Sequence, residues 1–170
     1  MTQPILCHLL IGLPASGKST FAQQLNQQIP NSVIISTDTI RERLFGDAMT
    51  QRDWNQVENM VIEHVKLAIN YEQIVIYDAT NVQEAWRRSF LDKVSDLNSE
   101  WIAWWLKTPA NVCKNWNKYR SRRVPNHAID TYYEYLLESP PIVEEGFVAV
   151  KEIECEPKMQ RVSSKKRVSK

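Results

Sequence analysis

The residues with the clearest chemical signature lie near the N-terminus, where Gly12 to Ser19 match the pattern Gly-x4-Gly-Lys-Ser. Glycines let a backbone curl so that successive N–H groups point at one anion, and Lys18 adds a positive charge. The Ser19 hydroxyl is an oxygen ligand of the kind that Mg²⁺ prefers. A chance match is the alternative, but a buried strand before the loop and an amphipathic helix after it are the context that the motif requires. The pattern predicts a site for a nucleoside triphosphate formed by Gly12, Pro14, Ala15, Ser16, Gly17, Lys18, Ser19 and Thr20.

Three charged residues follow other apolar runs of the chain. Asp38 stands just after the run 32–35, and Asp78 directly follows the run 74–77. Because parallel strands open onto a ligand crevice at their carboxyl ends, both carboxylates are expected there. Asp78 is then a candidate ligand for Mg²⁺ or its water shell. Asp38 could accept the proton of an acceptor hydroxyl, and Arg41 could clamp an anionic acceptor. A helix cap is the alternative for Asp38, and a solvated or ion-paired residue is the alternative for Arg41.

A cluster of arginines, Arg120, Arg122 and Arg123, lies between two segments of helical pattern. Guanidinium groups on a loop that closes over a triphosphate would stabilise the charge on the transferring phosphoryl oxygens. The alternative is a solvent-facing loop. Three arginines followed by Val124-Pro125 favour a functional role for at least one of them.

The elements that must position these residues alternate regularly between strand and helix patterns. This alternation predicts an α/β fold of the P-loop NTPase type, with a parallel sheet of four to five strands, helices on both faces and an arginine-bearing helical lid. The predicted strands are 5–11, 32–35, 74–77, 101–106 and 147–153. The predicted helices are 18–29, 37–45 capped by Thr37 or Asp38, 52–70, 82–97, 110–119 and 128–137.

The composition limits the kind of protein this chain can be. Its 170 residues, 43% hydrophobic and 24% charged, fit one globular domain rather than a disordered or membrane protein. The N-terminal residues lack the features of a signal peptide, so we expect a cytoplasmic protein. Three widely spaced cysteines indicate neither a disulfide framework nor a metal site.

The charge is distributed unevenly along the chain. Six of the 21 Lys and Arg lie in residues 157–170 with no acidic residue, so residues 1–156 carry 15 basic against 20 acidic residues, a net charge of −5. We expect a P-loop kinase domain over 1–156 and a basic, disordered tail over 157–170. Any nucleic-acid contact must be local to a basic groove or to the tail.

Several short segments together resemble the kinase domain of bacterial and phage 5′-hydroxyl polynucleotide kinases, an AAA-type ATP-binding domain. The segments are Gly12–Ala22, Ser36-Thr37-Asp38 with Arg41, Tyr77–Gln83, Asn117–Arg120 and Glu145-Gly146-Phe147, within a match that runs from about residue 5 to residue 150. The resemblance departs at Trp116, where those kinases often carry an arginine. The chain is also too short to hold the phosphatase and ligase domains of the bacterial repair enzymes.

The resemblance implies ATP-dependent phosphorylation of a 5′-OH end in a nucleic acid or nucleotide. It implies that Asp38 is the general base, that Arg41 holds the acceptor's phosphate, and that Lys18 and Ser19 hold ATP and Mg²⁺. It implies lid contacts from Arg120 and Arg123.

Other functions stay open at this stage. A small-molecule kinase acting on a sugar, nucleoside or antibiotic hydroxyl has the same motifs, and so does an NTP-gated switch. Asp38 with Arg41 and the arginine cluster favour transfer over switching, and the charge of −5 favours a short or small acceptor. The choice between RNA and DNA, and between ATP and GTP, is not decided by the residues.

The tryptophans divide into two groups. Trp101, Trp104 and Trp105 lie on a predicted strand and are expected to pack in the core. Trp54 and Trp116 lie next to the predicted acceptor side and lid, which makes them better candidates for stacking on a ligand.

Overall fold

In the computed structural model, which describes residues 3–50 and 53–155, strands and helices alternate along the chain. The strands are β1 (Ile5–Ile11), β2 (Ser32–Ser36), β3 (Ile74–Asp78), β4 (Ser99–Leu106) and β5 (Ala149–Ile153). The helices are α1 (Lys18–Gln28), α2 (Thr37–Phe45), α3 (Trp54–Asn70), α4 (Glu84–Lys93), α5 (Ala110–Asn117) and α6 (Asn126–Glu138), with a 3₁₀ turn at Val143–Glu145. All strand pairs are parallel, in the order β2-β3-β1-β4-β5, which confirms the predicted fold class.

Neighbouring residues of the central strands point to opposite faces of the sheet, as strand geometry requires. On one face, Leu10 and Ile76 pack with Ala22 and Leu25 of α1. On the other face, the larger core packs residues of β1 and β3 against α3, α4 and α6. Members of this core include Leu9, Val75, Val61, Phe90 and Ile129. Helices thus cover both faces, and the carboxyl ends of β1, β2 and β3 lie together at one edge of the sheet.

The cap of α2 and the start of α4 differ from the sequence prediction. Neither Thr37 nor Asp38 caps α2, because Ser36 precedes the helix and no side chain bonds to its free N–H groups. Helix α4 begins at Glu84 rather than at Val82, because Asn81 takes a left-handed conformation, with φ 48°, and Gln83 is extended.

One further prediction on architecture is confirmed, and two others lie outside the described residues. Trp101 is buried and contacts Phe90 with its ring, which confirms core packing at this position. The predicted start of α3 at Arg52 and the predicted basic tail over 157–170 lie outside the described residues. In the described part of the chain, every helix is too short or too polar to cross a lipid bilayer.

Candidate active site

The phosphate loop joins the end of β1 to the start of α1, and its backbone is left-handed at two positions. Ala15 has φ 60° and Gly17 has φ 95°. Alternation of left-handed and ordinary conformations turns neighbouring N–H groups toward one concave surface, which is how such loops bind anions. A Cβ atom at Gly12 would lie 2.8 Å from Ser16 Oγ and 3.2 Å from the Leu106 carbonyl oxygen, so a larger residue does not fit.

Contacts from the neighbouring strands hold this loop in place. The Gly12 N–H donates to the Thr80 carbonyl at 3.0 Å, beyond the end of β3. The buried Thr108 hydroxyl, beyond the end of β4, donates to the Ser16 carbonyl at 2.8 Å. Within the loop, Lys18 Nζ donates to the Leu13 carbonyl at 2.6 Å. The phosphate loop is therefore built on the ends of three adjacent strands.

Ser19 and Asp78 bring together two oxygen donors beside this loop. Ser19 Oγ donates to Asp78 Oδ2 at 2.7 Å. Burial raises the pKa of Asp78, while the Lys18 charge and the Ser19 hydrogen bond oppose that shift; burial also lowers the pKa of Lys18. A hydroxyl and a carboxylate are hard oxygen ligands, so this pair fits Mg²⁺. The described residues contain no group of three or more His, Cys, Asp or Glu side chains that could hold a metal. Mg²⁺ typically binds through one or two protein oxygens and completes its coordination with water and substrate phosphates.

Asp38 faces the same crevice from the first turn of α2, and both of its carboxylate oxygens are paired. Arg41 Nη1 lies 3.4 Å from Oδ1, and Arg122 Nη2 pairs with Oδ2. The Arg41 guanidinium also lies over the Trp54 ring, 5.6 Å from its centroid. Two cations beside one carboxylate leave the pair of arginines with a net positive charge for an anionic acceptor.

A loop between α5 and α6 carries the arginine cluster and is closed at its base by one side chain. Asn117 Nδ2 donates to the Val124 carbonyl at 2.6 Å, and the Val124 N–H donates to Asn117 Oδ1 at 3.0 Å. Arg120 and Arg122 line the cavity, whereas Arg123 is exposed and is not part of its lining. The Nε atom of Arg122 is buried and has no hydrogen-bond partner within the described residues.

One cavity of about 780 Å³ unites these groups. Its phosphate end contains the loop with Asp78 and Thr80, and its acceptor end contains Asp38 and Arg41 with several aromatic rings. The aromatic lining comprises Trp54, Tyr77, Trp86, Phe90, Trp116 and Tyr132. The cavity includes all of the predicted nucleotide-binding residues except Gly12, which lies beneath the loop. It thus brings together every predicted charged residue of the site except Arg123.

The most extensive polar network near the cavity involves Arg87, which the sequence pattern did not single out. Arg87 is fully buried and donates to both carboxylate oxygens of Glu145 at 2.6 and 2.7 Å. It also donates to the carbonyls of Asn81, Val82 and Ser139 at 3.0 to 3.1 Å. These five bonds use all five guanidinium N–H groups.

This network reaches the phosphate loop through one further bond. The Asn81 side chain donates to the Leu10 carbonyl at 2.8 Å, close to where the loop begins. Arg87 therefore ties the residues beyond β3 to the segment after α6. An arginine on a helix, next to the partly exposed Arg88, gives no local signal of burial. Its pairing with Glu145 spans 58 residues and becomes visible only in the folded chain.

Comparisons with known proteins agree with this architecture. The family model for the AAA domain matches residues 7–138. A curated relative, the L-seryl-tRNA(Sec) kinase of Methanococcus maripaludis, is 28% identical over 130 residues, which is 74% of this chain and 50% of the relative. The chain therefore spans half the length of that protein.

Two solved structures extend the comparison. A chain in the structure of the Pnkp1/Rnl/Hen1 RNA repair complex has a TM-score of 0.74 and 22% identity, over 82% of this chain and 46% of that one. Chaetomium thermophilum Kti12, in complex with ADP-AlF3, has a TM-score of 0.70 and 16% identity, over 89% of both chains. At these identities the structural matches establish the fold.

Proposed function

The chain belongs to the AAA-domain family, and from that premise we propose that it transfers the γ-phosphate of ATP to the 5′-hydroxyl end of a polynucleotide or nucleotide. The observation that carries the proposal is the position of Asp38. Its carboxylate, flanked by Arg41 and Arg122, lines the same cavity as Lys18 and Ser19. A switch protein needs the phosphate end of this cavity, whereas a base beside an anion-binding arginine is useful only to an enzyme with a second substrate.

In this mechanism each end of the cavity has one task. The phosphate loop and Lys18 bind the triphosphate, with Ser19 and Asp78 as the residues that would hold Mg²⁺. That ion, when bound, neutralises charge on the phosphate oxygens. Asp38 accepts the proton of the acceptor hydroxyl, whose oxygen bonds to the γ-phosphorus as the bond to the β-phosphate oxygen breaks and ADP leaves.

The arginines complete the mechanism. Arg41 holds a phosphate or other anionic group of the acceptor beside Asp38. Arg120 and Arg122, which line the cavity, supply positive charge from the lid. Arg123 lies on the same loop, and we propose it as a further residue of the lid. A cytoplasmic location, where ATP is available, is part of the proposal.

A nucleic-acid acceptor is supported by the names of two similar proteins, a kinase acting on seryl-tRNA and a component of an RNA repair complex. The second candidate is a small-molecule kinase. The net charge of −5 over residues 1–156 favours it, since an acidic body does not attract a long nucleic acid.

The experiment that tests the proposal is a transfer assay with γ-labelled ATP, Mg²⁺ and a panel of acceptors. The panel contains 5′-OH RNA and DNA oligonucleotides, nucleosides and sugars. We expect label on the oligonucleotide or nucleotide 5′ end. Label on sugars alone would replace the proposed acceptor class, and ATP hydrolysis without any labelled acceptor would overturn the proposal of a kinase.

The matched variant is Asp38→Asn, which keeps the size of the side chain and removes its basicity. We expect kcat to fall by about 10²- to 10⁴-fold while ATP binding is unchanged, as for loss of a general base. Asp96→Asn, at an exposed position after α4, serves as the control. Normal turnover by Asp38→Asn would show that another group is the base.

A further inference from the structure

The acceptor end of the cavity holds two indole rings that the fold leaves half uncovered. Trp54 is 42% exposed and Trp86 is 40% exposed, yet both line the cavity that contains Asp38. A large apolar side chain is normally buried because removing it from water is favourable. Apolar surface that faces a cavity beside polar groups is the usual composition of a ligand site.

Both rings are held in place before any ligand binds. The Arg41 guanidinium lies over Trp54, and Trp86 makes near-perpendicular ring contacts with Tyr132 and Tyr135 of α6, with centroids 6.1 and 6.3 Å apart. Trp54 and Trp86 come from the first turns of α3 and α4, so two different helices present them to one space. A preorganised aromatic surface loses little side-chain entropy on binding.

The charges at this end do not form a track for a phosphodiester chain. Arg41 and Arg122 both pair with Asp38. Glu58, which also lines the cavity, pairs with Lys93 at 2.6 Å. A neighbouring polar cleft of about 360 Å³, which shares Arg120 and Arg122 with the cavity, adds the carboxylates of Glu42 and Asp47. Proteins that follow a nucleic-acid backbone instead use rows of unpaired cations.

From these observations we infer that the acceptor is recognised through one planar ring, a nucleobase, stacked against Trp54 and Trp86, rather than through a phosphodiester chain beyond its first nucleotide. The inference rests on the proposed function and makes it more specific. The ring places the 5′-hydroxyl of the same nucleoside at Asp38. Nucleotides beyond the first contribute little to binding.

The first test compares acceptors of increasing length with the unaltered protein. We expect KM values within about threefold for a nucleoside 3′-monophosphate, a trinucleotide and a 20-nucleotide 5′-OH strand. We also expect less than about a threefold change between 50 and 200 mM salt, whereas proteins with 6–10 phosphate contacts lose about 10³- to 10⁵-fold in affinity over that range. A KM that falls tenfold or more with length, or a steep salt dependence, would overturn the inference while leaving the kinase proposal intact.

The second test substitutes the rings. Loss of one base–aromatic stack costs about 1–3 kcal/mol, so Trp54→Leu and Trp86→Leu should each raise KM for base-bearing acceptors by about tenfold. We expect kcat within about twofold and KM for ATP unchanged. Trp54→Phe, which keeps a flat ring, should restore KM to within about threefold. A 5′-OH strand with an abasic first position should bind both the Leu variant and the unaltered protein equally weakly.

The control is Tyr71→Leu, which removes an exposed aromatic ring at the opposite end of α3 from Trp54. It should leave every KM unchanged. If Trp54→Leu and Trp86→Leu behave like Tyr71→Leu, the ring site is wrong.

A binding measurement separates the two proposals. Adenosine should quench the indole fluorescence of the unaltered protein, and Trp54→Leu should lose most of that quenching. If no acceptor is labelled but this quenching occurs and depends on Trp54, the kinase proposal fails and the ring site stands. If acceptors are labelled but base-free and base-bearing acceptors have the same KM, the ring site fails alone.

Discussion

The two ends of the cavity are built in opposite ways. The phosphate wall, comprising residues 12–20 with Asp78, follows β1 and is anchored by hydrogen bonds with the Thr80 carbonyl after β3 and the Thr108 hydroxyl after β4, and Lys18 and Asp78 are buried. The acceptor wall, comprising Asp38, Arg41, Trp54, Arg120 and Arg122, is partly exposed and held by pairs between side chains. Exposed ion pairs are worth about 0–1 kcal/mol, so a ligand can rearrange the second wall far more easily than the first. In the proposed mechanism, rigid binding of ATP is thus combined with an adaptable site for the acceptor.

The largest effect is expected at the phosphate wall. Lys18→Ala removes the charge that we propose binds the β and γ phosphates, so activity should fall about 10³-fold with every acceptor alike. Transfer assays across the acceptor panel measure this, with the exposed Lys66→Ala as control. A loss that depends on the acceptor would mean that the two walls do not act separately.

The next effect is a loss of stability, and it is expected at Arg87, whose hydrogen-bond network with Glu145 lies near the cavity. Arg87→Met leaves the Glu145 carboxylate buried without its partner, so the free energy of unfolding should fall by about 3–5 kcal/mol. Urea denaturation measures this change. The neighbouring Arg88→Met, which breaks a partly exposed pair with Glu84 and one bond to the Glu144 carbonyl, should change the midpoint far less. Adding Glu145→Gln to Arg87→Met should recover part of the loss, and equal effects at both arginines would contradict a special role for the buried pair.

The Asp78 carboxylate, which we propose holds Mg²⁺, is expected to lower the stability of the fold at neutral pH. Because burial raises its pKa, the folded state disfavours the ionised carboxylate. This destabilisation is complete above the raised pKa and disappears as the pH falls to the ordinary aspartate value of 3.8. Asp78→Asn should therefore be at least as stable as the unaltered protein at pH 7. It should still lose about 10²-fold in activity, because it removes a carboxylate that we propose holds Mg²⁺. Thermal denaturation should show this difference shrinking toward low pH; a widening difference would mean that the Asp78 charge stabilises the fold.

The smallest effect is expected in the lid of the acceptor wall. Arg120→Ala and Arg122→Ala should each lower kcat by about tenfold, because both line the cavity. Arg123→Ala should change kcat by less than about twofold, because that side chain is exposed outside the lining. Single-turnover kinetics with saturating ATP distinguish them. An Arg123→Ala defect as large as the other two would indicate that the lid rearranges during turnover.

The sequence predicts the phosphate wall better than the acceptor wall for a physical reason. The phosphate loop is a local structure, so its eight residues contain the information for their own conformation, and the alternating apolar runs predict the sheet around it. Asp38 and Arg122 are 84 residues apart, and their pairing depends on how the lid packs over α2. Arg87 and Trp86 are neighbours in the chain, yet one is fully buried and the other lines the cavity. The sequence pattern alone does not show which of these two neighbours is buried and which one lines the cavity.

The paired hydrogen bonds between Asn117 and Val124 make the lid loop an exchangeable module. They join its two ends independently of the six residues between them. Because the entropic cost of closing a loop rises by only about 0.6 kcal/mol for each doubling of its length, residues 118–123 could be lengthened or replaced with little penalty to folding. Loops with differently spaced arginines could therefore be inserted between Asn117 and Val124, which would change the charged groups of the lid while the rest of the enzyme stays constant.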